Sequence, residues 1–96
     1  MRAFTIKAKV WIYPGDAAWH FVSTGPKETK ILRELRPTKR RGFGAVKVRC
    51  TIGTTTWDTS VFPTKDGPYL LPLKASVRAK EGIAQGDTVT ISCTLL

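Results

Sequence analysis

A chain of 96 residues with 42% apolar side chains is one domain with its own core, burying roughly 65% of the surface its extended form would expose. Its formal net charge of +9, from 16 Lys+Arg against 7 Asp+Glu, favours a polyanionic partner through long-range attraction. No stretch approaches the ~20 apolar residues of a spanning helix. The opening MRAFTIKAKVWIY carries two lysines where a secretory h-region would lie, so no membrane association and a cytoplasmic location are expected.

The first segment alternates. Phe4, Ile6, Ala8, Val10 and Ile12 share one face, and Thr5, Lys7, Lys9, Trp11 and Tyr13 the other, the period of a half-buried strand. Pro14-Gly15-Asp16 is a turn, and Trp19-His20-Phe21-Val22 predicts a second strand in a hairpin with the first. Trp19 and Phe21 then fall on one face as core packing, with His20 on the other. At 26–36 the period changes to that of a helix, with Pro26 at its first position and Glu28 in its first turn. Ile31, Leu32 and Leu35 form its apolar stripe, and the helix stops before Pro37.

Alternation resumes from Gly42 to Ile52, with Val46, Val48, Cys50 and Ile52 inward and Lys47, Arg49 and Thr51 outward. Gly53 turns the chain into a strand over 54–62. After the loop 63–68, Tyr69-Leu70-Leu71 is a short strand. Residues 74–81 read as a helix stopped by Gly82, and the last strand points Val89, Ile91, Cys93 and Leu95 inward. Several strands, each with one apolar phase, call for one shared interior. The expected fold is therefore mainly β: a small closed or nearly closed antiparallel β-barrel with two short helices, one domain over residues 1–96. Cys50 and Cys93 match no redox or zinc spacing and are expected as buried reduced thiols, bridgeable only if their strands are neighbours.

Two resemblances add to this reading. The stretch LLPLKASVRAKEGIAQGDTVTI resembles the half-barrel motif of AbrB/MazE-type swapped-hairpin proteins through Pro72, Lys74, Arg78, Gly82, Ile83, Gly86, Asp87 and Val89, with Leu73 an extra residue after the proline. That family binds DNA as a dimer, and no second copy of the motif is present here. The segments AWHFV, RRGFGAVKV, TTWDTSVFP, YLLPLKASVRAKEGI and GDTVTI, in that order, resemble the domain-of-unknown-function family nineteen-oh-five. These are small bacterial β-barrel proteins, sometimes fused to a YdeI/OmpD-associated segment. This resemblance implies a barrel and no established activity.

Candidate functional residues fall into two groups. Lys27, Lys30, Arg33, Arg36, Lys39, Arg40 and Arg41 face only Glu28 and Glu34 within 27–41. If the strands of Lys7/Lys9 and Lys47/Arg49 are neighbours, the cations form a stripe suited to phosphates. The leading expectation is thus a binding or interaction module for DNA, RNA or another polyanion, through Lys30, Arg33, Lys39, Arg40, Arg41, Lys47 and Arg49. Arg41–Val48 fits the RNA-recognition octamer at Phe43 but lacks its other rings at Ala45 and Val48. The alternative is a barrel-mouth pocket for an anionic small molecule, lined by Trp19, His20, Trp57 and Tyr69 and closed by Lys74 or Arg78. A third reading is a module that binds a protein partner. Catalysis, cofactors and metals are not expected. His20 is the single histidine, the carboxylates are scattered, and only His20 with Asp58 suggests a pair. Either a monomer or a homodimer fits the pattern.

Overall fold

The computed structural model describes residues 3–15, 18–35 and 44–96. In chain order the elements are β1 (Ala3–Lys9), β2 (Trp11–Ile12), β3 (His20–Ser23), α1 (Pro26–Leu35), β4 (Val46–Ile52), β5 (Thr55–Pro63), β6 (Tyr69–Pro72), α2 (Ala75–Glu81) and β7 (Thr88–Leu95). The strands are antiparallel, in the order β1-β7-β4-β5-β6-β3-β2.

The two ends of that order belong to one length of chain, and this nearly closes the sheet. β1 pairs with β7 from Ala3↔Thr94 to Lys9↔Thr88. The chain then passes through Val10 into β2, which pairs with β3 at Trp11↔Phe21 and Ile12↔His20. Val10 keeps both its backbone groups occupied at this change of partner. It donates to the Asp87 carbonyl at 2.9 Å and accepts from the Gly86 N–H at 2.8 Å. β5 changes partner in the same way, pairing with β4 along Thr55–Val61 and with β6 at Phe62 and Pro63. The result is the nearly closed barrel, which leaves little unpaired edge.

The interior follows from the alternation. Ile6, Val10, Val22, Leu32, Val48, Val61, Leu71, Val77 and Ile91 are buried in one cluster, with Leu95 packed against it. Burial of aliphatic side chains at about 1.5–3 kcal/mol each is the main term holding the strands together. Cys50 and Cys93 sit directly opposite each other on β4 and β7, both buried and free, with their Sγ atoms 3.6 Å apart. The strands are neighbours, and the two thiols fill core space. The neighbouring sulfur and burial together push the Cys50 thiol pKa far above the usual range.

Each helix covers one end of the barrel. α1 opens at Thr24-Gly25. Thr24 Oγ1 lies 2.6 Å from Thr29 Oγ1 and accepts from the Tyr69 N–H at 3.0 Å. The helix inserts Leu32 into the core and reaches the far end of β5, where Arg33 Nη2 donates to the Gly67 carbonyl at 2.7 Å. α2 covers the opposite end. It buries Val77, and its Glu81 accepts a hydrogen bond from Thr55 at the start of β5. Gly82 stops it in the left-handed conformation, φ 65° and ψ 40°, which suits a residue without a Cβ.

Three expectations need correction. The strand expected from Gly42 starts at Val46: Gly44 has φ 77°, and Gly42 and Phe43 lie outside the described residues. Trp19 and Phe21 are not core. Pairing with β2 puts Phe21 opposite the outward Trp11, so Val22 and His20 take the inward phase and Trp19 is 55% exposed. The strands of Lys7/Lys9 and Lys47/Arg49 are not neighbours, because β7 lies between them. Lys9 is level with Thr88 and Arg49 with Thr94, at opposite ends of β7, so these four side chains form no continuous stripe.

Candidate functional site: a cleft at the α2 end

The barrel end covered by α2 keeps a cleft of about 310 Å³ lined by Trp19, His20, Trp57, Asp58, Lys74 and Arg78. Five of the six residues proposed for a mouth pocket meet here. β5 supplies Trp57 from its inward phase, β3 supplies His20, the preceding turn supplies Trp19, and Lys74 and Arg78 come from the start and body of α2. Tyr69 does not join them. It lies in the inward phase of β6 with Leu71 and is fully buried, and the guanidinium of Arg33 stands 5.9 Å from its ring centroid.

Arg78 is held in place by its neighbours. Its Nε donates to the Leu73 carbonyl at 2.9 Å, and its Nη1 lies 3.5 Å from His20 Nε2. His20 Nδ1 is 2.9 Å from the Ala18 carbonyl, an acceptor only. Nδ1 therefore carries a proton, and Nε2 is the ring nitrogen turned toward Arg78. Among the described residues, the guanidinium spends one donor on the backbone and aims a second at the imidazole. Lys74 is exposed beside it, with no side-chain bond capping α2.

The acid on the rim is already engaged. Arg49 Nε and Nη2 donate to Asp58 Oδ1 and Oδ2 at 2.7 and 3.0 Å, a bidentate pair across β4 and β5. Those hydrogen bonds hold the Asp58 carboxyl below its ordinary pKa and raise that of Arg49. The His20–Asp58 pairing does not form, because each partner is committed elsewhere. With Asp58 paired to Arg49, the remaining charged side chains among the described lining residues are Lys74 and Arg78.

Trp57 forms part of the wall, and its indole N–H, like the Tyr69 hydroxyl deeper in the barrel, is buried without a hydrogen-bond partner among the described residues. Burying such a donor unpaired costs about 1–3 kcal/mol, and native structures retain few of them. The cleft thus brings together the Arg78 guanidinium, the Lys74 ammonium, the His20 imidazole and the Trp57 indole. The guanidinium, ammonium and indole are donors suited to an acceptor-rich, negatively charged group.

The basic group from the sequence is more dispersed. Lys30 and Lys47 are exposed. Arg33 ties α1 to the β5–β6 loop through Thr64 and Gly67, and Arg49 is paired with Asp58. Arg36, Lys39, Arg40 and Arg41 lie outside the described residues. Among the described residues, no group of three or more His, Cys, Asp and Glu side chains is arranged to hold a metal, and no helix is long and apolar enough to cross a membrane.

Sequence reasoning missed one feature. Trp11, Tyr13, Trp19 and Phe21 form a single outward cluster, with centroid separations of 5.4–6.3 Å between neighbouring rings. Trp11 Nε1 donates to Ser23 Oγ at 3.0 Å. The signal was available: once Trp11 and Tyr13 are outward, a hairpin placing Phe21 beside Trp11 must turn Phe21 outward too.

Fold and cleft together define a small basic antiparallel barrel with a donor-rich mouth. The chain belongs to the family described as domain of unknown function DUF1905, whose model matches residues 7–93, nearly its whole length. No curated protein matches it.

Proposed function

We propose that this domain is a binding module that takes an anionic small molecule in the cleft between β3, β5 and α2, with the acid group on Arg78, Lys74 and the Trp57 indole N–H. The observation that carries the reading is the Arg78 guanidinium, oriented by Leu73 and His20 in a cleft that Lys74 and Trp57 also line. The size is adequate, since small-molecule pockets begin at about 300 Å³. The reading is one of binding rather than catalysis, in a reducing compartment such as the cytoplasm, where the facing Cys50 and Cys93 thiols stay reduced.

Acetate and inorganic phosphate titrated into the protein, followed by calorimetry and amide shifts, test this reading. Saturable binding is expected, weakened several-fold by Lys74→Ala and more strongly by Arg78→Lys, which loses the planar fork. Binding unchanged by both variants, or no binding of either anion, overturns it. The polyanion reading rests on the net charge of +9 and the exposed Lys30 and Lys47. A gel-shift series with short DNA and RNA at low and moderate salt tests it, with Arg40→Ala plus Arg41→Ala expected to flatten the salt dependence.

A further inference from the structure

The donor-rich cleft does not end at its own rim. Trp19 and Ala18 also line a second cleft of about 450 Å³ on the outer face of the barrel, together with Tyr13, Pro14, Phe21 and Leu70. No charged side chain is among its described lining residues. Trp19 is the wall the two share. One face of its ring is stacked on Phe21, 6.1 Å between centroids and 14° between planes, yet the residue is 55% exposed. Tyr13, 54% exposed, stands edge-on to Phe21 at 6.2 Å. Tyr13 and Trp19 are the most exposed rings among the described residues, ahead of Phe62 at 40%, and open aromatic surface gathered in one patch marks a binding site more often than a scattered ring does. Here it is contiguous with a cluster of cationic and N–H donors.

From this juxtaposition we propose that the ligand is amphipathic: a planar aromatic body laid against Trp19 and Tyr13, carrying one anionic group that reaches around Trp19 to Arg78 and Lys74. The inference rests on the anion-binding reading above and specifies its substrate class. An acid alone would leave the outer aromatic cleft unfilled. A neutral aromatic alone would leave the Arg78 and Lys74 cations of the inner cleft without an anion. A flat ring suits the apolar cleft because offset stacking on an indole adds to the area it covers. The cationic edge of the cleft then fixes the orientation of the ring.

Three probes separate the contributions on the full chain by calorimetry: acetate (acid without ring), naphthaleneethanol (ring without acid) and naphthaleneacetate (both). Naphthaleneacetate is expected to bind at least about tenfold more tightly than either of the others. Trp19→Ala, at a 55% exposed position, should bring naphthaleneacetate to the level of acetate, a loss at least about tenfold larger than any it causes for acetate itself. Trp19→Phe should restore part of the gain. Naphthaleneacetate binding no better than acetate overturns the amphipathic ligand and leaves the anion site standing. Naphthaleneethanol binding as tightly as naphthaleneacetate, with Lys74→Ala silent, overturns both, as does no binding by any probe. A Trp19→Ala effect of equal size on acetate and naphthaleneacetate also overturns the inference, because the ring would then be shaping the anion site rather than stacking on the ligand.

Discussion

Replacing Trp57 with Phe tests whether the indole N–H is truly unpartnered. Trp57 is buried on β5, and its indole nitrogen has no acceptor among the described residues. Truncation to Phe removes about two carbons from the wall, a loss of about 1.5 kcal/mol at ~0.8 kcal/mol per buried methylene-sized group. It also removes a buried, unanswered donor whose desolvation costs about 1–3 kcal/mol. The two nearly cancel, so stability should change by no more than about 1 kcal/mol in either direction, whereas truncating a large buried side chain ordinarily costs several. In a domain of this size that is a Tm change within about 4–8 °C, readable by thermal and urea unfolding. The same variant should lose about tenfold in acetate or naphthaleneacetate affinity, the worth of one hydrogen bond to a charged acceptor at about 1.5 kcal/mol. A destabilisation above about 3 kcal/mol would show that the indole has a partner in the folded protein. Unchanged anion affinity would show that it does not face the ligand.

Further outcomes follow from the same geometry. Val48→Ala, at a fully buried position in the middle of β4, should cost about 2–3 kcal/mol in urea unfolding with an unchanged m-value. Gly53 has φ +54°, and a Cβ there would fall 2.6 Å from Glu81 Oε1. Gly53→Ala should therefore cost about 1–2 kcal/mol by straining the turn and displacing the Glu81–Thr55 link. The Cys50 and Cys93 thiols, buried and with the Cys50 pKa raised by its neighbour, should resist an aromatic disulfide reagent in native buffer and react only as urea opens the barrel. Immediate stoichiometric labelling would contradict that. The Arg49–Asp58 pair lowers the Asp58 pKa. Its small contribution is therefore present above the ordinary carboxylate pKa and lost as pH falls through the depressed one. The stability difference between wild type and Asp58→Asn should shrink on acidification. At neutral pH, Asp58→Asn should raise anion affinity by leaving the positive charge of Arg49 uncompensated at the rim.

The barrel was legible because alternation is a backbone-level signal. In β1, β4 and β7 an apolar residue recurs at every second position, so Ile6, Val48 and Ile91 had to share an interior whatever the strand order. Strand order and strand breaks were not legible. Alternation runs unbroken through Val10, where the chain exchanges β7 for β3, because the change is made by backbone groups of Gly86 and Asp87 that no side-chain pattern reports. The same limit explains the basic stripe. Outward lysines on β1 and β4 read alike, and only the placement of β7 between them decides whether they meet.

The cleft was legible in its donors. Lys74 and Arg78 one helical turn apart share a face of α2, and large rings near a hairpin turn and on an inward strand phase converge at a barrel mouth. Tyr69 was misplaced because its phase on a four-residue strand is set by pairing with β3 and β5, and that pairing turns Tyr69 inward and Leu70 outward. Asp58 suggested a pair with His20, and its pairing with Arg49 instead depends on the β4–β5 register, which puts the two opposite each other.

The most direct measurement of the central claim is the indole N–H region of a nitrogen-15 correlation spectrum during titration with acetate and then naphthaleneacetate. Three tryptophans give three resolvable signals, assigned by single Trp→Phe variants. The Trp57 signal is predicted to move downfield and saturate with both anions as its donor acquires an acceptor. The Trp19 signal should respond only to the aromatic acid, and Trp11, already bonded to Ser23, should stay nearly still. A Trp57 signal that does not move at saturating anion would contradict the assignment of this cleft as an anion site.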